Sequence, residues 1–129
     1  MQSDDKTNPH WAKTPAGKFY RLLFIKPEKL GLEQQSGIVV AWHGGLKPKW
    51  IYVDKSSNIA RDLDTFTEDD DIMSYDLRGG VFVSWALIRP EYQDGVLKYL
   101  LETMTPLIEP QKLPGEKVES LAVLAPGQD

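Results

Sequence analysis

The side chains able to do chemistry gather in one stretch, residues 36–63 (SGIVVAWHGGLKPKWIYVDKSSNIARDL), which brings Tyr52, Lys55, Ser56, Ser57 and Arg61 into close succession. A phenol, an ammonium, two hydroxyls and a guanidinium at this density could form an active site. Elsewhere the chemistry is sparse. Neither GxxxxGK[ST] nor GxGxxG occurs, so there is no glycine-rich phosphate cradle. His10 and His43 are the only histidines and there is no cysteine, so the spacing of a zinc site is missing. His43 has no nucleophile-elbow serine to serve and reads as a loop histidine beside turn glycines. Asp69, Asp70 and Asp71 lack the alternating ligands and the glycine of a calcium loop and read as a solvated acidic turn.

The elements that must position this stretch follow from pattern. Gly37 to Trp42 is nearly continuous in apolar character, as in a central strand covered on both faces. His43 to Lys49 has the length of a hairpin loop, and Trp50 to Val53 returns as the next strand. Asp54, Ser56 and Ser57 are the expected N-caps of a helix from about Ser57 to Phe66, with Ile59, Leu63 and Phe66 as its inward stripe. Lys18 to Ile25 (KFYRLLFI) reads as a strand, with a short helix as the alternative, since periodicity does not separate the two at this length. Val81 to Ile88 reads as a further strand. Pro90 opens a helix that runs to about Met104, with Val96, Leu97, Leu100, Leu101 and Met104 on its apolar face and Gly95 available for close packing. The expected architecture is a small α+β domain over residues 18–110, with a mixed or antiparallel sheet of three to four strands flanked by helices. Residues 1–17 are expected as an extended arm and residues 111–129 as a tail without fixed structure apart from Val118 to Leu124, an apolar patch able to dock on the domain or on a partner. Trp11 in the arm, anchoring on the domain or on a partner, and Leu121, Val123 and Leu124 in the tail are the candidate anchors.

Composition narrows the function. A chain of 129 residues fits one domain. No apolar run approaches the roughly 20 residues of a membrane span, and the N-terminal MQSDDKTNPHW has acids and a proline where a secretory leader needs basic and then apolar residues. The expected compartment is the cytoplasm, which the absence of cysteine fits. The net charge is −4, and from Asp54 to Arg78 eight acids stand against three bases. That region repels a phosphate backbone, so nucleic acid is not the expected partner. A local basic patch remains in Lys13, Lys18, Lys26, Lys29, Lys47 and Lys49, the basis of a reading as a nucleic-acid binder that does not cut.

The order strand, strand, helix, strand, helix, together with the wording of the central stretch, resembles the GIY-YIG nuclease family over about residues 36–110. Gly37-Ile38-Val39 stands where GIY would be, Tyr52-Val53-Asp54 where YIG would be, and Lys55-Ser56-Ser57-Asn58-Ile59 looks like the KSxNL that commonly follows. Val96 to Pro106 looks like the family's later helix, which ends at a proline. The resemblance implies two tyrosines and an arginine around a phosphate and its attacking water, a glutamate holding one divalent metal such as Mg2+ or Mn2+, and a supporting asparagine. The positions equivalent to that site are Val39, Tyr52, Asp62, Leu97 and Glu109. Only Tyr52 keeps the family's residue type. An aspartate replaces the arginine, and an aliphatic side chain replaces the metal ligand. Arg61 is one helical step, about 100°, from the family position.

The expected function is therefore a non-catalytic structural or protein-interaction module on a degenerate GIY-YIG-like scaffold. It would need no cofactor and would act through protein partners or self-association, as a small subunit of a larger assembly. The alternative is an active metal-dependent nuclease with shifted residues, using Tyr52, Arg61 and either Glu102 or Glu91.

Overall fold

The structure is a computed structural model and describes residues 9–128. In chain order the elements are β1 (Tyr20–Arg21), β2 (Gly37–His43), β3 (Lys49–Ser56), α1 (Ile59–Thr67), α2 (Asp70–Met73), β4 (Val81–Ala86) and α3 (Pro90–Met104), with short 3-10 turns at Leu22–Phe24, Pro27–Leu30 and Ser74–Leu77. The strands form one antiparallel sheet in the order β1-β4-β2-β3. This is the expected small α+β fold. Among the described residues no helix is long and apolar enough to cross a membrane.

β2 is the centre. It pairs with β3 on one side and β4 on the other, and each face is covered, which is why its run has no polar alternation. Val39 and Ala41 face α1 and α2, where Ile59, Leu63, Phe66 and Ile72 complete one core. Ile38 and Val40 face α3, where Val96, Leu97, Leu100 and Met104 complete the other. Ile59 and Leu63 are fully buried, and each contributes on the order of 1.5–3 kcal/mol relative to an exposed side chain. The stripe read from the sequence is thus the packing face of α1. Its N-cap differs from expectation. Asn58 accepts from the Arg61 backbone N–H at 3.2 Å, because Asp54 and Ser56 stay on β3, paired with Val39 and Gly37.

The first strand is shorter than KFYRLLFI predicts. Only Tyr20 and Arg21 pair with β4, and the chain then turns through Leu22–Phe24. Three consecutive apolar residues of a strand cannot all face inward. The turn buries Leu22 completely and leaves Leu23 and Phe24 outside. At the same end, Asp76 accepts from the Val81 backbone N–H at 3.0 Å and from Arg21 at 3.1 Å. The Val81 bond first, then Arg21, holds its carboxyl below the usual carboxylate range. This fixes the turn in which Gly79 and Gly80 adopt positive φ and lie against the Gly44–Gly45 backbone.

The terminal segments depart most from the sequence reading. Trp11 is 4% exposed and its indole N–H donates to the Leu124 carbonyl at 2.7 Å. Ala12 hydrogen-bonds Trp85 and Ser84 of β4. Val123 and Ala125 are buried in the α3-side core. The Leu121 N–H donates to the Gly95 carbonyl at 2.9 Å, and a Cβ at Gly95 would stand 2.9 Å from the Glu119 carbonyl. Among the described residues Trp11 thus anchors on the domain, one of the two outcomes expected for it, beside β4, while the tail docks on α3 and its core through the expected anchors Leu121 and Val123. The reason is area: α3 alone leaves part of its sheet face uncovered, and Trp11 and Val123 fill it. Residues 1–8 and 129 of those two segments lie outside the described residues. Trp11→Ala is expected to cost about 3 kcal/mol in urea unfolding, as a buried large-to-small substitution does, whereas an unanchored arm residue would change stability by less than about 0.5 kcal/mol.

Candidate functional site

Tyr52 and Asp54 are two apart on β3 and share its α1 face, as strand alternation requires. Both are buried. The Tyr52 hydroxyl donates to Asp54 Oδ2 at 2.6 Å. The Gln111 backbone N–H reaches the same two oxygens, at 3.0 Å to Tyr52 and 3.1 Å to Asp54. Asp54 Oδ1 accepts from the Lys55 N–H at 2.8 Å. Gln111 is delivered by a segment that lies along the outer side of β3, where the N–H groups of Leu107 and Ile108 donate to the Trp50 and Ile51 carbonyls. Lys112 follows, its ammonium 3.3 Å from the Lys55 carbonyl and 3.5 Å from Asp62.

These groups border a cleft of about 90 Å³ lined also by Val39, Thr65, Phe66, Asp69 and Glu109. It is small beside the roughly 300–1,000 Å³ of ordinary small-molecule sites. Its walls carry Asp54, Asp62, Asp69 and Glu109 against Lys112 alone, a balance that disfavours an anionic substrate. Burial first, then the hydrogen bond and charge of Asp54, push the Tyr52 hydroxyl far above the usual tyrosine value, against the smaller opposing effect of the Gln111 N–H. Tyr52 keeps its proton and is no general base at neutral pH.

Four of the five equivalent positions, Val39, Tyr52, Asp62 and Glu109, border this one cleft. Leu97 does not. It is fully buried on α3, in the core on the other face of the sheet. Arg61 lies away from Tyr52, in a shallow groove with Glu28, Glu33, Asp64 and Glu68, its side chain 62% exposed and 3.8 Å from Asp62. Glu91 and Glu102 are exposed on α3, across the sheet from Tyr52. The set Tyr52, Arg61 and Glu102 or Glu91 is thus not brought together, and the shifted-residue arrangement is corrected. Among the described residues no three His, Cys, Asp or Glu side chains gather to hold a metal ion, and Leu97, at the position the resemblance gives to the metal-holding glutamate, has no donor atom and lies in the other core.

Asp54, Gln111 and Lys112 are the residues sequence reasoning missed. The i, i+2 spacing of Tyr52 and Asp54 on a strand carries the signal for the first. Gln111 carries none, because it acts through its backbone N–H across a long span of chain.

A second concavity of about 290 Å³ lies on the α3 side of the sheet, at its hairpin end, lined by Phe19, Trp42, Pro48, Lys49, Trp50, Pro126 and Gly127. Phe19 meets Trp42 edge-on at 4.9 Å and 89°, and Trp42 meets Trp50 at 5.6 Å and 71°. The Lys13 ammonium sits 5.3 Å from the centre of the Phe19 ring. This aromatic set was not read from the sequence. Its signal was the pair Trp42 and Trp50 on either side of one hairpin. Comparison of the chain with protein-family models, with curated proteins and with solved structures finds no match.

Tyr52→Phe removes the donor to Asp54 and is expected to lower stability by about 1–2 kcal/mol near neutral pH. The folded-state pKa of Tyr52 lies above its unfolded value of 10.0. The hydroxyl's contribution is therefore fully present below that pH and is lost as pH rises beyond it. In urea titrations the gap between wild type and Tyr52→Phe should stay constant from about pH 6 to 9 and narrow above about pH 10.

Proposed function

We propose that this protein is a non-catalytic protein-interaction module on a GIY-YIG-like scaffold, acting in the cytoplasm as a small subunit or accessory factor of a larger assembly. One observation carries the reading. The one family hydroxyl that remains, Tyr52, is tied to Asp54 and Gln111, with an acid rather than a guanidinium beside it. A phosphate in that cleft would face Asp54, Asp62, Asp69 and Glu109 with Lys112 as the one cation in its lining, and no guanidinium. Loss of the positive charge removes what phosphodiester hydrolysis relies on for stabilising developing negative charge. The order β3-β2-β4 of antiparallel strands, with a helix after β3 and another after β4, supports the scaffold. The absence of cysteine fits a reducing compartment.

The test has two parts. Purified protein incubated with plasmid, single-stranded DNA and RNA, with Mg2+ or Mn2+, is expected to cleave none of them. Cleavage abolished by Tyr52→Phe would overturn the reading. Size-exclusion chromatography with light scattering, on the protein from native extract, is expected to show a complex or an oligomer. A monomer without a partner would count equally against it.

A further inference from the structure

We propose that the aromatic concavity at the hairpin end of the sheet is a docking site for an acidic, proline-rich peptide segment in extended, polyproline-type conformation. This rests on the interaction-module reading and names the partner's chemistry.

Three observations carry it. The first is shape. The concavity walled by Phe19, Trp42 and Trp50 adjoins a second, formed by Met104, Thr105 and Leu107, and the two share Pro48, Lys49 and Trp50. Trp50 is thus a ridge between two shallow compartments, the first mostly apolar and the second mixed, with Lys49 and Thr105 beside Met104 and Leu107. A polyproline-type helix, with three residues per turn, seats successive proline pairs in such compartments, and its conformation is set before binding. The second is chemistry. The concavity is lined by Phe19, Trp42 and Trp50, and the chain's own Pro126 is already buried against this set. A proline ring is therefore a fitting occupant of these walls.

The third is charge. Residues 10–26 and 37–53, which supply Phe19, Trp42, Pro48 and Trp50, carry Lys13, Lys18, Arg21, Lys26, Lys47 and Lys49 and no acid. Lys49 lines both compartments and Lys13 stands over Phe19. A quaternary ammonium, the other usual guest of aromatic walls, meets like charge here. A single-stranded nucleic acid needs open ring faces for its bases. Trp42 has Phe82 stacked on it at 6.4 Å and 22° and is met by Phe19 and Trp50. An acidic proline-rich segment satisfies both the walls and the lysines.

The probe is a fluorescein-labelled peptide of repeating Glu-Pro-Pro, read by anisotropy against full-length protein. A Gly/Ser/Glu peptide of equal length and charge and a single-stranded oligothymidine serve as competitors for the interpretation. The proline peptide is expected to bind, and to bind more tightly than the Gly/Ser/Glu peptide. Trp50→Ala should weaken it about tenfold, as loss of a central aromatic does. Lys49→Glu, an exposed position, should weaken it several-fold with an unchanged urea midpoint, so the result stands even where Trp50→Ala fails to fold. No binding, equal binding of the proline-free peptide, tighter binding of the oligonucleotide, or indifference to Lys49→Glu would each overturn the proposal. A partner complex that forms unchanged with Lys49→Glu overturns this site alone and leaves the module reading in place. Nucleic-acid cleavage overturns the module reading alone.

Discussion

β2 is hydrogen-bonded along both edges and covered on both faces, and the rest of the molecule is arranged to keep water from it. A strand in that position satisfies its backbone groups only through its neighbours, so β3 and β4 must both be present for it to be stable. Their approach is close: at Gly37 a Cβ would overlap the Ala86 carbonyl oxygen. Each face then needs its own cover, and the two covers come from different parts of the chain. α1 and α2, which follow β3 directly, supply one. α3, assisted by residues at both ends of the chain, supplies the other.

A single irregularity in β3 decides where the chemistry goes. Simple alternation would place Trp50 and Tyr52 on one face. The bulge opposite Ala41 and Trp42 inserts Ile51, so Tyr52 pairs with Ala41 while Trp50 pairs with Trp42. Tyr52 and Asp54 therefore enter the acidic cleft on the α1 side, and Trp50 joins Phe19 and Trp42 on the other. One extra residue between two ladder positions is what a bulge contributes. Here it separates a closed hydrogen-bond cluster from an open aromatic surface.

The segment after α3 links the two regions. Leu107 and Ile108 cover the outer side of β3, which would otherwise be an unpaired strand edge. Three residues further on, Gln111 and then Lys112 satisfy Tyr52, Asp54 and Asp62. The covering of an edge and the closing of the Tyr52 cleft are thus done by one short run. Leu107 also walls the aromatic concavity's neighbour, so the same run touches both.

The sequence by itself determined the local structure. The unbroken apolar run of β2, the stripe Ile59, Leu63 and Phe66, the proline at the start of α3 and the glycine inside it are short-range patterns, and each was legible with its physical cause. Only the tertiary structure decided that Leu97 lies across the sheet from Tyr52, that Trp11 and Leu124 meet, and that Gln111 closes the Tyr52 cleft. These contacts join residues distant along the chain, and several use backbone groups, which every residue carries and no side-chain pattern marks. The bulge at Ile51 belongs with them, since the face a residue occupies after it depends on pairing with a partner strand and not on the residue's own type.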